Sequence, residues 1–106
     1  MRNLYVFYDT VSGNYGEVFS AENDSVMRRS ALRSLASVSP EIARDTVVLH
    51  VACIEKDDES GCPSVLPCIP VRTALSGSCP EVEQTRNELM KEAQFYSSLR
   101  GDSDEA

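Results

Sequence analysis

Apolar and polar positions along this chain switch period several times, and each switch marks an element. Leu4-Tyr5-Val6-Phe7-Tyr8 is apolar or aromatic at every position and ends at Asp9. Its aromatic and β-branched content predicts a strand over residues 3–9. An uninterrupted run of this kind is expected where both faces of a strand are covered. Ser12-Gly13-Asn14 is a turn signal, since Gly13 and Asn14 both tolerate positive φ. Glu17-Val18-Phe19-Ser20 then reads as a short return strand, closing a hairpin with a loop longer than the tight two-residue kind.

A period near 3.6 follows. Asn23 or Asp24 can cap a helix reaching to about Ser37. At 100° per residue Met27, Ala31, Leu35 and Val38 fall in one stripe, with Arg29 and Arg33 on the opposite side and Arg28 on the flank. Pro40 is expected to stop that helix. Thr46 to Glu55, TVVLHVACIE, is the strongest strand signal. Val47, Leu49, Val51 and Cys53 make one face, and Val48, His50, Ala52 and Ile54 the other. Both are largely apolar, which predicts a central strand. Asp57-Asp58-Glu59-Ser60-Gly61 reads as a solvated turn. Pro63, Pro67 and Pro70 then confine any strand to a sheet edge or an extended strap. Ser78 or Cys79 caps a last helix, with Pro80 at its first position and Glu81 and Glu83 in its first turn. That helix is expected to run to about Arg100, to place Val82, Leu89, Ala93 and Tyr96 along one face, and to end at Gly101.

The order β-β-α-β-β-α defines an α+β fold, a small and mainly antiparallel sheet packed by two helices. Residues 1–100 are expected to form one domain and residues 101–106 a disordered acidic tail. A chain of 106 residues, 42% of them hydrophobic, has material for one modest core.

Charge narrows the possible partners. The net charge is −7, but residues 1–44 carry five basic and five acidic residues, whereas residues 45–106 carry five and twelve. Phosphate neutralisation by Lys and Arg supplies most non-specific nucleic-acid affinity, so any such role needs a local patch in the first half. Arg28, Arg29 and Arg33 provide one, which Arg2 and Arg44 can extend. Tyr5 and Phe7 on an open sheet face could stack bases. The competing reading is a solvated helix face for the arginines and burial under the second helix for Tyr5 and Phe7. The seven-residue spacing Val82, Leu89, Tyr96 also suits a homodimer interface, or equally a helix packed on its own sheet.

Candidate chemistry is sparse. No phosphate loop, nucleophile elbow or metalloprotease motif is present, and a lone His on a strand is usually structural, so an enzyme is not expected. His50, Cys53, Cys62 and Cys68 would complete a four-ligand zinc site in number. Residues three apart on a regular strand point to opposite faces, however, which separates His50 from Cys53. The remaining spacings fit no standard finger or ribbon. Cys53 then reads as a small buried apolar residue, and no metal or cofactor is expected. No run approaches a membrane span, and the N-terminus does not read as a signal peptide, so an intracellular location and reduced cysteines are expected.

The opening, LYVFYDTVSGNYGEVFSAENDSVMRRSALRSL, resembles the small nonstructural protein of single-stranded-DNA bacteriophages of the microvirus group, the gokushovirus or Chlamydia-phage type. The similarity rests on Tyr8-Asp9 closing the first strand, the Gly-containing turn, Val18-Phe19, and Ala21-Glu22-Asn23-Asp24 at the helix start. It continues through the apolar strand Val47–Glu55, the acidic Asp57–Gly61 turn and the Pro63–Pro70 strap, covering roughly residues 3–75. Ser60-Gly61 stands where the family often has Thr-Gly, and the chain after Gly77 has no counterpart in the resemblance. What it implies is a nonstructural phage protein in the host cytoplasm, assisting viral single-stranded DNA synthesis. Its implied partners are single-stranded DNA or phage and host replication proteins. No catalytic residue is implied. The alternative is a dimeric adaptor that binds only protein.

Overall fold

A computed structural model describes residues 2–56 and 61–104 of the chain. Seven elements follow one another: β1 (Arg2–Asp9), β2 (Tyr15–Ala21), α1 (Asp24–Ala36), α2 (Pro40–Asp45), β3 (Thr46–Lys56), β4 (Pro63–Ser76) and α3 (Pro80–Asp104). The strands form one antiparallel sheet in the order β2-β1-β3-β4. This is the expected α+β arrangement, with β3 in the interior and proline-bearing β4 on the edge, where a missing N–H costs no ladder bond.

Two helix boundaries differ from expectation. Pro40 does not only end α1; it opens the separate short helix α2. Ser39 is extended and its hydroxyl accepts from the Ile42 amide, so Pro40 sits at the first helical position, where its missing N–H is harmless. Val38, expected on the α1 stripe, lies beyond the helix end and is exposed. The second difference is that α3 passes Gly101 and continues to Asp104. One glycine costs a helix only about 1 kcal/mol relative to alanine and need not end it. Asp57–Ser60, the expected acidic turn, and Glu105 and Ala106 of the expected tail lie outside the described residues.

The hydrophobic core lies on one side of the sheet. Tyr5, Val48 and Leu75 rise from three strands to meet Met27, Ala31 and Leu35 of α1, Ala43 of α2 and Val82 of α3. Under α1 the rings of Phe7, Phe19, Tyr5 and His50 stack in a row across the sheet, with neighbouring centroids 5.0 to 5.7 Å apart. Asn23 caps α1 by accepting from the Val26 amide, as its position in the sequence implied. Arg86 of α3, almost wholly covered, donates to the Leu35 and Val38 carbonyls at the C-terminal end of α1. A guanidinium there satisfies carbonyls left without helical partners and opposes the negative end of the helix dipole.

All three helices contribute to that one core, and the molecule is only 20 Å through its thinnest direction. One sheet and one helix layer account for this thickness. Among the described residues no helix therefore covers the second face of β1 and β3. Cross-strand pairing places Leu4, Val6 and Tyr8 there with Val18, Val47 and Leu49. Val6 is buried among its neighbours on this face, whereas Val18 is exposed.

Candidate functional site

The described residues gather most of their chemistry at one end of the helix-covered face, where β1, β3 and β4 run side by side beneath the start of α1. A β-bulge makes the gathering possible. Tyr5 pairs with His50 and Leu4 with Ala52, so Val51 is an extra residue on β3. Across the other edge of β3, His50 pairs with Arg72 and Ala52 with Pro67, so β4 loops out over Cys68 to Val71. One extra residue reverses the alternation of everything after it. His50 and Cys53 consequently share the helix-covered face, contrary to the expectation of opposite faces, and the outward loop of β4 brings Cys68 against them.

The distances are short and mutual. Cys53 Sγ lies 3.7 Å and Cys68 Sγ 3.8 Å from His50 Nε2. The three ligand atoms lie within 4.8 Å of one another. Asn3 Oδ1 accepts from Cys53 Sγ at 3.2 Å and sits 3.1 Å from His50 Nε2. The amide cannot be reversed without loss, because its Nδ2 donates to the Glu22 carbonyl at 2.9 Å. On the other side of the ring, an Arg72 guanidinium nitrogen lies 3.3 Å from Nδ1. Arginine only donates and the Asn3 oxygen only accepts, so the neutral ring carries its proton on Nε2 and accepts at Nδ1.

Asp24, in the first turn of α1, anchors the arrangement. It accepts from the Tyr5 hydroxyl at 2.7 Å and from Arg72 at 3.0 and 3.1 Å. The Tyr5 hydrogen bond, chiefly, holds the Asp24 carboxyl below its usual range; burial pushes the other way, and the Arg72 hydrogen bond and charge add to the lowering. Tyr5 moves the opposite way, raised first by burial and then by the adjacent Asp24 carboxylate. Burial also raises the Cys68 thiol, and the neighbouring Cys53 sulfur raises it further. Cys62 is exposed and stands outside this trio, so the four-ligand set counted in the sequence is not assembled. Cys79 lies elsewhere, at the edge of the core beside α3.

The other sequence-derived residues are dispersed. Tyr5 is completely buried and cannot stack a base; its ring is part of the core that α1 and Val82 of α3 share, and its hydroxyl reaches Asp24 at the start of α1. Phe7 is largely covered, lying against Phe19 and the same core. Arg28 forms a 3.9 Å ion pair with Glu81 of α3. Arg29 and Arg33 are exposed, and neither makes an ion pair among the described residues. Val82, expected at a dimer interface with Leu89 and Tyr96, is instead enclosed in the chain's own core. Leu89 is half-buried and Tyr96 is exposed. From Met90 to Leu99 every residue of α3 is exposed, including Met90, Phe95, Tyr96 and Leu99.

Asn3 and Arg72 were not singled out from the sequence, and Asp24 was singled out only as a helix start. Asn3 is a polar residue within an otherwise apolar strand, and Arg72 is a lone charge after three prolines; both were visible anomalies.

The class defined by these observations is a two-layer α+β domain with a Cys-Cys-His cluster across two neighbouring strands, β3 and β4, and a projecting C-terminal helix. No family model matches the chain, and neither curated proteins nor solved structures give a match.

Proposed function

We propose that this chain is a non-enzymatic nonstructural protein of the microvirus kind, assisting viral single-stranded DNA synthesis in the host cytoplasm through protein contacts. The first contact is with a second copy of itself. The observation that carries the reading is the outer part of α3. Residues 90–99 are exposed on every side and bear four large apolar side chains. An isolated helical segment of this length is marginal in water and gains most of its stability from packing. A second copy brings the same surface, and pairing two such arms covers Tyr96, Phe95 and Leu99. The order of motifs over residues 3–75 supports the phage setting.

Direct contact with single-stranded DNA is the second reading, favoured by Arg29 and Arg33 lying exposed one helical turn apart. The burial of Tyr5 and the pairing of Arg28 leave that patch small, and a net charge of −7 opposes it. Sedimentation of the chain with and without an oligo(dT) strand separates the two. A dimer that ignores DNA, and becomes monomeric when the chain stops after Asn87, supports the arm. Salt-sensitive DNA binding abolished by Arg29→Glu/Arg33→Glu supports the patch. A monomer that binds neither itself nor DNA overturns both.

A further inference from the structure

We infer that His50, Cys53 and Cys68 form a binding site for a thiophilic cation, zinc, with the Asn3 side-chain oxygen completing or orienting the fourth position. The argument begins with the spacing of the donor atoms. Tetrahedral zinc, with Zn–S of about 2.3 Å and Zn–N of about 2.05 Å, holds nitrogen and sulfur ligands about 3.5–3.6 Å apart. His50 Nε2 lies 3.7 and 3.8 Å from the two sulfurs. An oxygen ligand at about 2.0 Å would stand about 3.3 Å from the nitrogen and 3.5 Å from a sulfur. Asn3 Oδ1 lies 3.1 Å from Nε2 and 3.2 Å from Cys53 Sγ. Cys68 Sγ also lies 3.7 Å from Nδ1, beside the ring, so it has to swing toward the Nε2 side to join Cys53 and Asn3 in a coordination shell; all three ligand atoms already lie within 4.8 Å of one another.

The donor types point the same way. Two thiols and an imidazole are a poor site for magnesium or calcium, which take oxygen, and a good one for zinc. Two thiolates and a neutral imidazole give a zinc centre of zero net charge, which suits a half-buried position. The outer partners are also in place. Asn3 is held by the Glu22 carbonyl, and Arg72 and Tyr5 converge on Asp24. Such groups orient metal ligands and tune their affinity.

Coordination through Nε2 requires the ring proton to move to Nδ1, the atom that now accepts from Arg72. Arg72 keeps its two contacts with Asp24 when it yields that bond. Its guanidinium therefore opposes coordination through Nε2 as a competing donor to Nδ1. The ligands lie on β1, β3 and β4, at the bulge where the ladder between β3 and β4 is interrupted. An ion there ties the edge strand to the sheet where backbone pairing does not, so its role is structural.

The test is titration of the fully reduced, full-length chain with zinc chloride, alongside cobalt chloride as a spectroscopic probe. One equivalent of zinc is expected to bind, raising the melting temperature reversibly with respect to a chelator. Cobalt should give tetrahedral d–d bands and a thiolate charge-transfer band. Cys53→Ser and Cys68→Ser should each weaken zinc binding by more than the roughly 10–100-fold that follows loss of an outer partner. Cys62→Ser and Cys79→Ser should leave it unchanged. Arg72→Gln should tighten it by about fivefold, the worth of one competing hydrogen bond, a sign that loss of a merely structural side chain would not produce. The inference is overturned if the unmodified chain takes up no zinc or gives octahedral cobalt. It is equally overturned if Cys62→Ser or Cys79→Ser abolishes binding, or if Arg72→Gln weakens it as much as loss of a cysteine. The cobalt spectrum of the unmodified chain decides the matter even where a variant fails to fold.

Discussion

Gly77 joins β4 to α3 and is buried in the angle between α2 and β3. A Cβ placed on it would lie 1.7 Å from the Ala43 carbonyl oxygen, 2.6 Å from the Thr46 carbonyl oxygen and 2.8 Å from the Ala43 carbonyl carbon. These are backbone atoms and cannot rotate away. The Gly77 amide also donates to Thr46 at 2.8 Å, so the clash pushes against a bond that fixes the same corner. Replacement by alanine must move the end of α2, the start of β3 or the start of α3. Overpacking of this kind costs about 3 kcal/mol, and loss of the hydrogen bond adds about 1 kcal/mol. That is a large share of the roughly 5–15 kcal/mol that stabilises a domain. For a chain of this size Gly77→Ala should lower the melting temperature by about 12–20 °C. Far-ultraviolet circular dichroism during heating measures it. Gly16→Ala is the matched control: its Cβ would meet the Phe7 Cβ at 3.3 Å and the Phe7 carbonyl oxygen at an ordinary 3.6 Å, on an edge strand. It should change stability by no more than about 1 kcal/mol. Melting of Gly77→Ala within about 3 °C of the parent would show that the corner yields and that the reasoning from fixed carbonyls is wrong.

Other perturbations test the packing of the helices. Leu35→Ala should cost about 2–5 kcal/mol in urea unfolding, because it opens a cavity between α1 and the core; a loss below about 1 kcal/mol would mean that α1 closes over the gap. Arg86→Ala removes the charged donor from the Leu35 and Val38 carbonyls and should cost about 1.5–3 kcal/mol by the same assay, unless water replaces the guanidinium without loss. Asp24 has a lowered carboxyl in the folded chain, so its contribution is complete above the ordinary carboxylate range and is lost as the pH falls through the lowered value. Asp24→Asn should therefore flatten the fall in melting temperature below about pH 4; an unchanged acid limb would remove Asp24 from the account. Tyr5 is raised, so its ionisation should come late in a spectrophotometric alkaline titration, and Tyr5→Phe should delete that late step alone.

Regular elements were legible because periodicity reports which side of an element meets the core. Met27, Ala31 and Leu35 marked α1, and the two apolar faces of Val47–Ile54 marked an interior strand. The misreading of Pro40 is instructive, since Ser39-Pro40-Glu41 has the same first-position proline and following acid as Cys79-Pro80-Glu81. One was read as a stop and the other as a start, and both are starts. The bulge was not legible. Val51 sits among Val, His and Ala with no glycine or proline to mark it, and its effect depends on the pairing chosen by two neighbouring strands. A face assignment by alternation therefore fails from Ala52 onward, and with it the separation of His50 from Cys53. The burial of Tyr5 and Phe7 was one of two readings open in the sequence. What it could not supply was the side on which α3 would lie, because Val82 suited the core as well as an interface. Asp24 was legible as a helix start but not as the partner of Tyr5 and Arg72, which depends on contacts across 19 and 48 residues.

The exposure of α3 from Met90 to Leu99 separates two kinds of constraint on this protein. Substitutions at Val82 or Arg86 must answer to the core, since both side chains hold α3 to α1. Between Met90 and Leu99 every side chain is exposed, so substitutions there meet no core among the described residues. Variation can therefore accumulate along the arm without eroding the fold that carries it. A small domain built in this way can acquire or exchange contacts through a few turns of helix while its sheet stays as it is.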